Sequence, residues 1–163
     1  MNTLPTPALL DTIRGLLATP SDQDSVAIFT TVCDDGHPHA AWMGAVASED
    51  LRHIYTLTSP DSVKVRNLRR HPESEWMMVN ADRDLVLYAR GPSRIVHDGT
   101  LMKRAWNLFP DKSRVFFLSF FNSSPGYAVI ETTITSLEWL LPRQGRRGNL
   151  LPHELEAICP ASR

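Results

Sequence analysis

Thr58, Ser59, Ser62 and Lys64 gather three hydroxyls and one ammonium into a single short stretch of the chain. Hydroxyl donors, free backbone amides and one lysine together suit a phosphate monoester. Residues 54–58 read as a strand, and a helix is expected at once after it. Ser59 fits the N-cap, because its side-chain oxygen can accept a free first-turn N–H. Pro60 fits the first helical position, where its missing donor costs nothing. Pro72 ends the segment, since the residue before a proline is biased away from helical geometry. A strand running into a helix start leaves unpaired N–H groups aimed at one point, which favours an anion. Lys64 leans back toward the same point, as long helical side chains do. The same residues also serve as plain helix caps beside a solvated charge, and Asp61 competes with an anion for the positive helix end. Both readings stay open on local chemistry alone.

Other chemistry-bearing residues are sparse. His37 and His39 have the spacing that puts two strand residues on one face, but no third metal ligand accompanies them. They read as polar residues beside a turn, and no metal is expected. Cys33 and Cys159 have neither disulfide-framework nor zinc-site spacing. No serine-hydrolase elbow, paired-histidine metalloprotease helix or phosphate-binding glycine loop is present.

The elements that must position the Lys64 cluster follow from the patterning. Residues 7–18 form an amphipathic helix through Leu9, Leu10, Ile13, Leu16 and Leu17. Residues 26–32 are a buried-strand run. Asp34-Asp35-Gly36 is a tight-turn signal that returns the chain over residues 38–46. A third strand covers 52–58, a fourth 75–80, and a long fifth 85–96, with Gly91-Pro92 marking a bulge or bend. A helix capped by Asp98 or Thr100 runs to Asn107. A second helix over 113–121 carries Phe116, Phe117, Phe120 and Phe121 as an apolar stripe. Residues 127–140 are the last strand. The fold class is mainly β (α+β): about six strands joined by turn-sized links, with flanking helices, imply a small six-stranded antiparallel β-barrel. Residues 1–142 are expected as the barrel domain, and residues 143–163 as a basic, mobile C-terminal tail.

Composition sets bounds. The chain has 163 residues, 42% hydrophobic and 21% charged, with net charge −1. That suits one domain with a real core and gives no global basic field for nucleic acid. No stretch has the apolar length of a membrane span, and the first residues do not resemble a signal peptide. A cytoplasmic location is the expectation.

Taken in order, Thr58-Ser59, Ser62-x-Lys64-x-x-Asn67-Leu68 and Pro72 resemble the flavin-binding split-barrel superfamily typified by pyridoxamine 5′-phosphate oxidase, its general-stress-protein branch above all. Thr30-Thr31-Val32 with Asp35-Gly36-x-Pro38-His39 resembles the first hairpin of that branch. Leu87, Ala89, Gly91, Val96, Asp98 and Trp106 are in register downstream, and Glu138-Trp139 resembles its final strand. The likeness spans residues 25–140.

The resemblance makes the barrel a six-stranded antiparallel split β-barrel with flanking helices. It implies a homodimer with FMN at the subunit interface and a small-molecule substrate. Carried over residue by residue, Ser62 and Lys64 hold the phosphate, and Thr58 and Ser59 add hydrogen bonds. Ala41, Trp42 and Met43 pass the isoalloxazine ring, and Trp106 or Trp139 reaches the ring or the second subunit. One departure stands out. Relatives commonly carry an arginine on the second strand where this chain has Ala41. Losing a charged hydrogen bond there costs on the order of 1.5–3 kcal/mol. Three expectations follow from the likeness: an FMN-dependent oxidoreductase, a flavin-binding stress protein without turnover, or a split barrel using deazaflavin, haem or no cofactor.

Overall fold

The structure is a computed structural model that describes residues 5–20, 26–120 and 126–157. Thr6 caps α1 (Pro7–Ala18), accepting from the Leu9 N–H at 3.3 Å, with Pro7 in the first turn. Leu9, Ile13 and Leu17 form its buried stripe. β1 (Val26–Val32) and β2 (Pro38–Trp42) form the first hairpin. Gly36 supplies the positive φ of +84° at the turn, and Cys33 N–H donates to the His37 carbonyl at 2.8 Å. β3 (Val46–Ala47) and β4 (His53–Thr58) follow, then α2 (Val63–Leu68), β5 (Glu73–Val79) and β6 (Val86–Val96). Next come α3 (Gly99–Leu108), capped by Asp98 through the Leu101 N–H at 2.7 Å, and α4 (Asp111–Phe120). β7 (Ala128–Thr133), β8 (Ser136–Leu141), β9 (Arg146–Leu150) and α5 (Pro152–Ala157) complete the described chain.

All pairings are antiparallel, in the order β2-β1-β5-β6-β7-β4-β3, with β8 added on β6 and β9 on β8. β6 is the pivot. Its first half pairs with β8 (Val86 to Leu140, Arg90 to Ser136) and its second half with β7 (Ser93 to Thr132, Val96 to Val129). The register advances by one residue between the two, a bulge on the partner strand. A Cβ on Gly91 would lie 1.8 Å from the Thr133 carbonyl oxygen, so only glycine lets the kinked segment lie against β6. β6 runs unbroken through Gly91-Pro92, the position expected to bulge or bend, and the irregularity lies instead on the partner strand, where it splits the expected last strand into β7 and β8.

The barrel interior is closed by Phe29 stacked on Trp76, with centroids 4.4 Å apart, together with Ile54, Leu87, Ile130, Leu137, Trp139 and the α1 stripe. Full burial of such side chains stabilises by about 1.5–3 kcal/mol each. Trp139 Nε1 has no hydrogen-bond partner among the described residues, while other polar atoms of this core are joined in a chain. Trp76 Nε1 donates to Thr132 Oγ1 (2.9 Å), which shares a 2.6 Å hydrogen bond with Ser93, and Ser93 shares another of 2.6 Å with Ser74. A second cluster lies on the outer side of β4 and β7, where α3 packs Ala105 and Phe109 over Val46, Tyr55, Leu57, Val96 and Val129.

Several expectations change. The return strand stops at Trp42, because the chain leaves β1 there to cross to β4; Met43 N–H still donates to the Ala27 carbonyl, while Gly44 O already accepts from Thr56 Oγ1 at 2.6 Å. α2 does not start at Ser59. Residues 59–62 close a turn through Ser62 N–H to Ser59 O, and the first helical bond is Arg66 N–H to Ser62 O, so Ser62 is the N-cap residue of a six-residue helix. Residues 146–150, expected within the tail, form β9 against β8. With the β7–β8 split, these changes raise the strand number among the described residues from six to nine. Phe116, Phe117, Phe120 and Phe121 lie outside the described side chains.

Candidate functional site

β4 ends where α2 begins, and this junction gathers the predicted hydroxyls and lysine. Thr58 is paired with Ala128 in the β4–β7 ladder, which turns its side chain to the same side as Ala128 and Ile130. Its Oγ1 accepts from Lys64 Nζ at 3.2 Å and donates to Ser62 Oγ at 3.3 Å. Val65 and Leu68 anchor α2 in the barrel core, and this holds Lys64 half-buried over the strand end. No carboxylate of the described residues pairs with its ammonium. Burial alone lowers the Lys64 pKa from its ordinary value. Ser59 is buried too, but its hydroxyl donates to Asp61, so that pair is engaged locally. A helix this short adds little through its dipole, and the site rests on side chains.

The crossing segment after β2 brings the second group of predicted residues alongside. Thr56 and Thr58 are alternate residues on one face of β4, and Gly44 O accepts from Thr56 Oγ1, so the crossing segment meets β4 two residues before Thr58. Ala41 faces inward opposite Phe29, and Met43 packs against the barrel core. Trp42 points the other way and is 71% exposed. His39 is the inward residue before Ala41 and lies opposite Thr31. Thr31 Oγ1 accepts from the buried Asn67 Nδ2 at 3.0 Å, tying α2 to β1 one turn beyond Lys64. His39 Nδ1 is buried and has no hydrogen-bond partner among the described residues.

Trp106 is not brought to this group. It sits on α3 against Tyr127 (centroids 4.7 Å apart), with the Arg114 guanidinium 6.0 Å over its ring, on the face of β7 opposite to that of Thr58. Trp139 is fully buried in the barrel core beneath Arg146. His37 is exposed beside Asp35, and no group of three metal-binding side chains occurs among the described residues.

Sequence reasoning missed a buried carboxylate on the α3 side. Glu131 accepts from Tyr55 OH at 2.9 Å and from Arg94 Nε at 2.7 Å. Burial, and then the Glu131 carboxylate, push the Tyr55 hydroxyl up to about 12. The available signal was a glutamate set directly after the apolar run Ala128-Val129-Ile130, within the expected strand.

A half-buried lysine with no carboxylate partner among the described residues, beside the hydroxyls of Thr58 and Ser62, has the donor chemistry that suits a compact oxyanion. Comparison with known proteins places this arrangement in context. The chain resembles the structure of general stress protein 26 from Bacillus anthracis (19% identity, TM-score 0.63, covering 87% of this chain and 98% of that one). It resembles a pyridoxamine 5′-phosphate oxidase-related, FMN-binding protein from Nostoc punctiforme (14% identity, TM-score 0.58, 77% and 85%). It also resembles a haem-binding protein from Mycobacterium smegmatis (15% identity, TM-score 0.71, 95% and 62%). At these identities the likeness shows the split-barrel fold. No curated protein sequence matches. The family model for pyridoxamine 5′-phosphate oxidase matches residues 11–139, which take in the whole Lys64 junction, the β2 crossing and β8 up to Trp139, and the chain therefore belongs to that family.

Proposed function

We propose that the protein binds FMN and acts as a flavin-dependent oxidoreductase on a small molecule. The observation that carries this reading is Lys64: a desolvated ammonium, unpaired by any carboxylate of the described residues and hydrogen-bonded to Thr58 at 3.2 Å. In this reading Lys64, Thr58 and Ser62 hold the phosphate. Ala41 and Met43 border the ring through their backbone, and the inward-facing Ala41 leaves room that an arginine would fill. When bound, the flavin supplies the electron-accepting chemistry. The chain's own part is to fix the phosphate, exclude water from the Lys64 side and leave one ring face open to a donor. True pyridoxamine phosphate oxidation is not proposed, because the basic second-strand pattern of that enzyme is missing at Ala41.

The outer face of the sheet supports a homodimer. Trp42, Ile28, Met77 and Tyr88 form one cross-strand row, with Val26, Val79, Val86 and Leu140 in the next. Apart from Trp42 these side chains are half-buried, leaving an apolar surface suited to a second copy. A cytoplasmic location accords with the lack, among the described residues, of any helix long and apolar enough to cross a membrane.

The test is to mix the purified protein with excess FMN, desalt it and record the visible spectrum, then screen reduced donors for turnover. A co-eluting flavin band with turnover supports the reading. A band that never cycles leaves the flavin-binding protein without turnover. No band overturns tight FMN binding.

A further inference from the structure

We propose that His39 is the second phosphate-recognition residue of this site and makes the protein select FMN over unphosphorylated riboflavin. This rests on the flavin reading above. His39 and Ala41 share the inward face of β2, opposite Thr31 and Phe29. Thr31 is bonded to Asn67, one helical turn after Lys64, so His39 and Lys64 flank the same Thr31–Asn67 contact from β2 and from α2. Ala41 brings no polar group to the site, which leaves His39 as the inward side chain of β2 able to donate to an anion.

The second observation is the ring itself. His39 Nδ1 is covered and has no partner among the described residues, an arrangement folded proteins rarely leave standing. A carbon would sit there without penalty. A half-turn about the Cβ–Cγ bond exchanges Nδ1 with Cδ2 and takes the nitrogen off the covered side, and the ring torsion of histidine is broad enough to permit it. A phosphate between α2 and β2 thus gives Lys64 a counter-charge and gives the turned His39 ring an acceptor. Histidine supplies one donor where an arginine would supply a fork.

The experiment is a fluorescence titration of FMN and of riboflavin into wild type, His39→Phe and His39→Gln, with a urea unfolding curve for each. His39→Phe keeps a flat ring and removes both nitrogens, while His39→Gln keeps a donor. The expected result is a loss of about tenfold or more in FMN affinity for His39→Phe, riboflavin affinity unchanged, an unfolding midpoint no lower than wild type, and a smaller loss for His39→Gln. FMN affinity unaffected in both variants overturns the proposal, as does an equal loss for the two flavins, which would mark His39 as packing alone. Wild type that binds neither flavin overturns the flavin reading itself, and this assignment with it.

Discussion

Replacing Lys64 with methionine separates its cost to the fold from its use to a ligand. Methionine keeps the aliphatic stem that lies along the strand end and removes the charge. In the free protein the ammonium has one neutral hydroxyl partner, Thr58 Oγ1 at 3.2 Å, and burial pulls its pKa down. A folded pKa below the ordinary 10.5 means that the unfolded chain holds its proton more tightly than the folded one. Stability therefore rises with pH between the lowered value and 10.5, and below that window the charge weighs against folding. Lys64→Met is expected to be at least as stable as wild type in urea at pH 7, with its advantage shrinking as pH approaches 10.5. Tyr55 titrates alike in both proteins and cancels from the difference. Ligand binding should move the other way. A charged hydrogen bond to phosphate contributes about 1.5–3 kcal/mol, so FMN affinity falls roughly ten- to a hundredfold, while riboflavin, which lacks the phosphate, is held as before. Lys64→Met less stable than wild type by more than about 1 kcal/mol, the usual net value of one hydrogen bond, would refute the claim that Lys64 waits for an anion. Equal losses for both flavins would refute its place at the phosphate.

Further outcomes follow from the fold. Gly91→Ala forces a Cβ against the Thr133 carbonyl at 1.8 Å and should lower stability by more than about 2 kcal/mol, read from the urea midpoint; an unchanged midpoint would contradict the β6–β7–β8 kink. The raised Tyr55 hydroxyl keeps its proton in the folded state between pH 10 and about 12, where the unfolded chain loses it. Stability therefore falls with rising pH across that window, by on the order of 2–3 kcal/mol, and Tyr55→Phe should abolish that slope. Tyr55→Phe also strips a donor from buried Glu131 and should cost about 1–3 kcal/mol at pH 7. If the proposed homodimer forms through the outer sheet face, wild type sediments as a dimer and Trp42→Asp shifts it toward monomer without changing the monomer's unfolding midpoint; a monomeric wild type, or a dimer that Trp42→Asp leaves undisturbed, would remove that face as the contact.

How far the sequence reaches depends on the range of the interaction. The Lys64 cluster was legible because its partners are contiguous: strand, turn and helix deliver Thr58, Ser62 and Lys64 to one place by local geometry. The start of α2 was misjudged because capping rules favour Ser59, whereas its hydroxyl is engaged by Asp61 and the chain closes a full turn before the helix begins. The β2 crossing was hidden because residues 38–46 keep strand-like composition throughout, and only the Thr56–Gly44 contact across the barrel shows where pairing changes. β9 has a polar, glycine-containing sequence with little strand preference and is a strand because β8 offers an open edge. Tyr55 and Glu131 meet only through the β4–β7 register. His39 looked like one of two turn histidines, and the role proposed for it rests on the Thr31–Asn67 bond, a contact between distant parts of the chain that local patterning does not show.

The central claim is tested most directly by locating the phosphate of FMN in a crystal structure of the complex. It should lie within hydrogen-bond distance of Lys64 Nζ and Thr58 Oγ1, with Ser62 alongside and the ring passing Ala41 and Met43. A phosphate left in solvent, or held by Arg94 on the α3 side of the sheet, would contradict the account.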